Sequence, residues 1–127
     1  MVHILTDEQI SPDVAVAAGR LCHGIQITTL FEWMDGHFVG ARDGEILREA
    51  ARQKMTLLSF DLRTLPALLR TWGEQGTAHG GLIFVDEKSI PQSDIGGMAR
   101  ALCELWKFQG DADWTNRCFF LQQVRKP

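Results

Sequence analysis

Long apolar runs are missing from this sequence. No window approaches the ~20 apolar residues that a bilayer-spanning helix needs. The start, Met1-Val2-His3-Ile4-Leu5-Thr6-Asp7, also lacks the basic and apolar regions of a secretory signal. A soluble cytoplasmic protein with no membrane partner is expected. Cysteine is scarce. Cys22, Cys103 and Cys118 are odd in number, far apart and without a C-x-x-C pair. A disulfide framework and a thiolate zinc site both need a different count or spacing, so buried free thiols are expected. Tyrosine is absent altogether, which decides nothing. Several catalytic signatures are missing too: there is no H-E-x-x-H, no G-x-S-x-G and no Walker lysine. The histidines, His3, His23, His37 and His79, are scattered, and Cys22 beside His23 reads as packing. Neither sign of charge dominates. Thirteen bases against 16 acids give a net charge of −3, which argues against an electrostatic DNA coat but leaves room for a local basic face.

What is present suits one globular domain. The chain has 127 residues, 45% apolar and 23% charged, enough for one core and too few for two. Residues 1–121 are expected to form the domain and 122–127 a tail. Val2 to Leu5 reads as a buried strand that stops at Thr6-Asp7-Glu8. Ser11-Pro12-Asp13 then supplies a hydroxyl cap, a first-turn proline and a first-turn acid for a helix. Val14, Ala17, Ala18 and Leu21 form its apolar stripe, and Gly24 is placed to end it. Ile25 to Leu30 predicts a second strand, and residues 31–40 a long glycine-punctuated loop. Asp43 opens a helix with Ile46, Leu47, Ala50 and Ala51 inward and Arg48 and Arg52 outward.

Met55 to Phe60 predicts a third strand, ending at Asp61. Thr64 is placed to cap a helix through Gln75, carrying Leu65, Leu68, Leu69 and Trp72 inward. Leu82 to Val85 is a fourth strand and ends at Asp86-Glu87. The glycines before it (Gly73, Gly76, Gly80 and Gly81) precede a strand, the wrong side for a nucleotide-binding loop. A helix over Ser93 to Phe108 follows, with Gly96-Gly97 weakening its first turn, and then a strand over Arg117 to Leu121. Trp33, Trp72, Trp106 and Trp114 read as core or interface anchors. Continuously apolar strands alternating with helices imply an α/β domain of three layers, Rossmann-like, around a mostly parallel sheet.

Sites in such sheets lie outside the carboxyl ends of the strands. Three strand ends here carry acids: Asp7-Glu8, Asp61 and Asp86-Glu87, with Asp43 opening a helix that precedes one of those strands. Converging carboxylates repel one another and hold protons unless a cation neutralises them. Oxygen ligands without a Cys or His cluster favour Mg²⁺ or Mn²⁺, ions that serve phosphoryl chemistry. The bland readings are a helix cap for Asp43 and strand-closing turns for Asp7, Asp61 and Asp86.

These residues also carry a resemblance. Ile4-Leu5-Thr6-Asp7-Glu8-Gln9-Ile10-Ser11-Pro12 is similar to the opening "LLDENLSP" of short bacterial PIN-like proteins, relatives of VapC-type toxins. Ala41-Arg42-Asp43-Gly44-Glu45-Ile46-Leu47 with Ala50-Ala51 resembles their "ASDEEIL…A" helix. Leu57-Leu58-Ser59-Phe60-Asp61 stands where they have a strand ending in T-x-D. The order and spacing of the blocks agree over roughly residues 2 to 105. The resemblance implies a PIN fold and a Mg²⁺- or Mn²⁺-dependent ribonuclease, with Asp7, Asp43 and Asp61 at the acidic positions and Ser59 at the hydroxyl position. It also implies homodimers and, for many relatives, an antitoxin partner. Two departures stand out: Leu62-Arg63-Thr64-Leu65 replaces a further Asp-Phe, and the fourth acid has only Asp86 as a counterpart.

The expectation is therefore an endoribonuclease holding its metal on Asp7, Asp43 and Asp61. Glu8, Ser59 and Asp86 are supporting candidates, and Arg42, Arg48, Arg52 and Arg63 are candidates for the RNA backbone. The alternative is a PIN-fold module that binds or dimerises without catalysis. A phospho-acceptor receiver is a third layout, but Lys88 follows Asp61 too soon for it.

Overall fold

Short runs of branched and apolar residues, bounded by acids and glycines, form five strands in the protein, described here by a computed structural model for residues 1–124. The last three residues of the expected tail lie outside the described residues. The strands are β1 (His3–Thr6), β2 (Gln26–Thr29), β3 (Thr56–Ser59), β4 (Leu82–Val85) and β5 (Cys118–Leu121). The helices are α1 (Asp13–Leu21), α2 (Asp43–Arg52), α3 (Thr64–Glu74) and α4 (Ile95–Gln109). All strand pairs are parallel, in the order β2-β1-β3-β4-β5. Every residue of β3 and β4 is buried, as parallel strands covered on both faces require.

Alternation along the strands divides the core in two. Ile4, Leu58, Ile83 and Val85 face α1 and α4, meeting Val14, Met98, Leu102 and Leu105. Leu5, Leu57, Leu82 and Phe84 face α2 and α3, meeting Ile46, Leu47, Leu65 and Trp72. This is the expected three-layer Rossmann-like arrangement, with the sheet wholly parallel. Helix α4 packs along α1 instead of joining α3. The chain nevertheless continues outward from β4 to β5, so this crossover turns in the opposite sense to the other three. Crossovers of that kind are rare. Its consequence is an open sheet face at β5, where Cys118 and Phe120 are exposed and Phe120 rests on Phe84 at 5.5 Å. The expected burial of thiols thus holds for Cys22 and Cys103 but not for Cys118.

Local details correct the sequence reading in several places. Helix α1 starts one residue later than expected, at Asp13 with Pro12 in the cap position, although the Ser11 hydroxyl still accepts from the Asp13 amide. Leu21, however, is exposed and Cys22 is buried in its place, because the chain leaves the helix there. Gly24, at φ 96°, turns the chain against the Trp106 ring toward β2. The loop over residues 31–40 contains a 3₁₀ turn, Trp33–Gly36, with Met34 and Asp35 in the left-handed region. Thr64 is the first residue of α3 and not its cap; the Asp61 carboxylate takes the amides of Arg63 and Thr64. Helix α4 is capped by Asp94, whose side chain accepts from the Gly97 amide at 2.9 Å and offsets the weak Gly96-Gly97 start. No helix among the described residues is long and apolar enough to cross a membrane.

At the opposite end of the sheet from the acids, His79 is buried with Nδ1 accepting from the Gly81 amide at 3.0 Å. Burial holds its pKa below 6.5, and burial does the same to His3, which contacts the Thr28 hydroxyl. The unfolded chain therefore takes up these protons more readily than the folded one. The stability they contribute is complete above pH 6.5 and is lost as pH falls through the depressed folded values. Thermal melts should show a midpoint falling by roughly 3 °C between pH 7 and 5.5, and His79→Gln should flatten that slope. An unchanged slope would remove His79 from the explanation.

Candidate functional site

The sheet order fixes where a site can form. Connections leaving β1 and β3 go to opposite faces, so a crevice opens between their carboxyl ends. Asp7 sits immediately past β1, with its amide still bonded to the Leu58 carbonyl of β3 at 3.1 Å. Its Oδ1 accepts from the Glu8 amide and its Oδ2 from the Ser59 hydroxyl, each at 2.8 Å. Ser59 is fully buried, and its Oγ accepts from the Asp61 amide at 3.0 Å. One serine thus ties the ends of β1 and β3 together across the crevice.

Asp61 uses Oδ1 for the amides of Arg63 at 2.9 Å and Thr64 at 2.8 Å. The bland reading of Asp61 as a turn acid is therefore part of its role. For Asp43 that reading has no contact behind it. Arg42 occupies the cap position of α2 in extended conformation, no side chain caps the helix, and Asp43 is its first residue. The Asp43 carboxyl instead stands close to that of Asp61, near enough for each to act on the other's protonation. Burial, followed by the charges of Asp7 and Asp61, raises the pKa of Asp43, with Glu8 adding to them. Burial also pushes Asp61 upward, but the Thr64 and Arg63 amides outweigh it and hold Asp61 below its ordinary value. Two neighbouring carboxyls with pKa values driven in opposite directions thus stand at the mouth of the crevice.

Glu8 points its carboxylate at the Gly40 amide in the loop before α2. Asp86 tops β4, one strand farther out, where its Oδ1 accepts from the Lys88 amide at 2.9 Å. A cleft of about 770 Å³ runs from Asp61 to Asp86 and is lined also by Gln9, Arg63, Thr64 and Gln92. Sequence reasoning did not single out the two glutamines. Gln9 follows the Asp7-Glu8 strand end directly and could have been suspected; Gln92 reaches the cleft only through the fold.

The four arginines separate. Arg42 precedes Asp43 and Arg63 follows Asp61, both exposed at the acidic end. Arg48 lies farther along α2, with its guanidinium 6.0 Å from the centre of the Trp72 ring. Arg52 pairs with Glu49 in the last turn, roughly 13 Å along the helix from Asp43. That end of α2 lies toward the amino ends of the strands.

The donor chemistry suits a hard divalent cation: carboxylates and a hydroxyl, with no thiolate. Among the described residues no three His, Cys, Asp or Glu side chains are gathered tightly enough to form a ready-made metal cage. Mg²⁺ does not need one. It keeps several waters and is commonly held by one or two carboxylates together with substrate phosphate. The Asp43–Asp61 pair meets that requirement, with Asp7 beside it. No family model, curated protein or solved structure matches the chain.

Proposed function

We propose that the protein is a PIN-like, Mg²⁺- or Mn²⁺-dependent endoribonuclease acting at the crevice between β1 and β3. The observation that carries this reading is the approach of the Asp43 carboxyl to those of Asp61 and Asp7, by an aspartate that caps nothing. Such a grouping is costly without a counter-ion and is therefore suited to receiving one. Asp43 and Asp61 would hold the cation, and Asp7, oriented by Ser59, would complete its carboxylate side. Bound there, the ion would neutralise phosphate charge and activate water for attack on a phosphodiester.

The remaining residues have simpler tasks. Arg63 lines the cleft and Arg42 adjoins Asp43, both exposed and able to bind the phosphates of an RNA strand. Asp86 serves the wall of that cleft. Dimerisation and an antitoxin partner, implied by the resemblance, belong to the same proposal.

Strand order 2-1-3-4-5 is shared with receiver-type folds. Lys88, however, follows β4 only one βα unit after Asp61.

The test is Mn²⁺ calorimetry on the wild type, Asp7→Asn and Asp61→Asn, followed by cleavage assays on a mixed RNA pool. Asparagine at 61 keeps an oxygen for the Arg63 and Thr64 amides, so the fold should survive. Micromolar to millimolar binding by the wild type, weakened at least tenfold in both variants, is expected. A folded wild type that binds no Mn²⁺ would turn the reading to a non-catalytic binding module.

A further inference from the structure

Asp43 belongs to the site only because the loop before it ends in the right place. That loop runs from Leu30 to Arg42, and most of its own backbone hydrogen bonds span three residues: Asp35 to Glu32, His37 to Met34, Val39 to Gly36 and Ala41 to Phe38. Bonds of that range set local turns but do not fix the loop against the domain. Its first half is anchored by the buried Trp33, whose ring lies 4.8 Å from that of Phe38 and whose Nε1 donates to Gln53. In its second half Phe38 and Ala41 lie half-buried against the same core, while the stretch between them is held by little. Val39 and Gly40 are exposed, and a side chain at Gly40 would meet nothing within 4 Å. Among the described residues, one hydrogen bond ties residues 39–42 to an element outside the loop and α2: the Gly40 amide to the Glu8 carboxylate.

Glu8 follows Asp7 in the turn after β1, so the tether joins that turn to the loop that leads into α2. Gly40 is at φ 80°, a conformation that aims its amide without the strain another residue would add. Three residues later the chain enters α2 at Asp43. We infer that Glu8 is a positioning residue: its carboxylate holds the loop at Gly40, and so sets where α2 begins and where the Asp43 carboxyl stands relative to Asp7 and Asp61. This rests on the metal-site reading above for its functional consequence, but the tether itself does not need a metal.

The two roles open to Glu8 separate by chemistry. A tether needs an oxygen acceptor at the Gly40 amide, whereas a metal ligand needs the charge. Glu8→Gln keeps the oxygen and loses the charge; Glu8→Ala loses both. Amide exchange and the proton shift at Gly40, read by NMR on metal-free protein, report the tether directly. Mn²⁺ calorimetry reports its consequence. Glu8→Gln should retain slow Gly40 exchange and bind Mn²⁺ within about threefold of the wild type, the small loss reflecting one distant charge. Glu8→Ala should exchange faster at Gly40 by at least tenfold and bind Mn²⁺ at least tenfold more weakly, with an unchanged fold by circular dichroism.

Gly40 exchange unchanged in Glu8→Ala would overturn the tether. Equal loss of Mn²⁺ affinity in both variants would overturn it in favour of direct ligation. Equal, undiminished affinity in both would show that the loop does not place Asp43. A wild type that binds no Mn²⁺ would sink the metal reading alone, and the exchange comparison would still decide whether Glu8 holds the loop.

Discussion

Asparagine in place of Asp43 is expected to raise the melting temperature of metal-free protein by roughly 2 °C while weakening Mn²⁺ binding about 100-fold, or ~2.7 kcal/mol. The two effects share one cause. Asp43 is crowded by burial and by the charges of Asp7, Asp61 and Glu8, and its pKa is raised. A raised carboxylate pKa means that the folded state binds the proton more tightly than the unfolded state. The stability this contributes is complete below the ordinary aspartate value of 3.8 and is lost as pH rises through the folded value. At neutral pH the metal-free site therefore works against folding. The neutral amide removes the repulsion and can donate to Asp61, but it removes a ligand charge too. Because the site is partly open to solvent, the gain is modest.

Melts in chelator across pH 4 to 8 would measure it. The advantage of Asp43→Asn should be largest near pH 7 and should fade as acid protonates the wild-type aspartate. A variant less stable than the wild type at pH 7 in chelator would show that Asp43 serves the fold, and the counter-ion argument would fail. With Mn²⁺ present the order should reverse, since only the wild type gains binding free energy.

This opposition between stability and function explains why the acids could be read from the sequence. A strand buried on both faces must be apolar throughout, so Ile4-Leu5 and Leu57-Leu58 stand out, and so do the acids that end them. Asp43 was legible both as a helix start and as a site candidate, and the sequence could not choose between them, because a cap and a ligand look alike in one dimension. Only the extended Arg42 and the absence of a side-chain cap on α2 separate them. Distances between acids on different elements depend on strand order, which the chain does not display. The same holds for the arginines: Arg48 and Arg52 share a helix face with each other, but the Trp72 ring and Glu49 occupy them away from the strand ends.

Two structural features were beyond the sequence for a further reason. Helix α4 carries an apolar stripe that fits either face of the sheet, so nothing in Met98, Leu102 and Leu105 foretells that it lies beside α1. Small residues decide the choice: Ala18 and Ala99 are fully buried where the two helices touch, allowing a close approach. The exposure of Cys118 and Phe120 follows from that placement. An alternating pattern at β5 would have signalled a half-covered strand, but Cys-Phe-Phe-Leu reads as continuous.

Removal of the Ser59 hydroxyl should have the second large effect. In Ser59→Ala the Asp7 carboxylate loses its partner from β3 and the Asp61 amide loses its acceptor; Ser59 is fully buried and the two acids are half-buried. Leaving such groups unpaired costs about 1–3 kcal/mol. The same loss frees Asp7 to turn within the crevice, and groups that orient a ligand typically change metal affinity about 10–100-fold when removed. Ser59→Thr keeps the hydroxyl, which is the group at this position in the T-x-D strand that the segment resembles. It should restore most of the Mn²⁺ affinity even if the added methyl lowers stability in so tight a place. Calorimetry and melts on the pair of variants separate the two roles of the serine. If Ser59→Ala loses stability while Mn²⁺ affinity is untouched, Ser59 is a staple between β1 and β3 and Asp7 is no ligand. If affinity falls in alanine and returns in threonine, the hydroxyl orients Asp7 for the cation, and the contact that joins the two strands also builds the site.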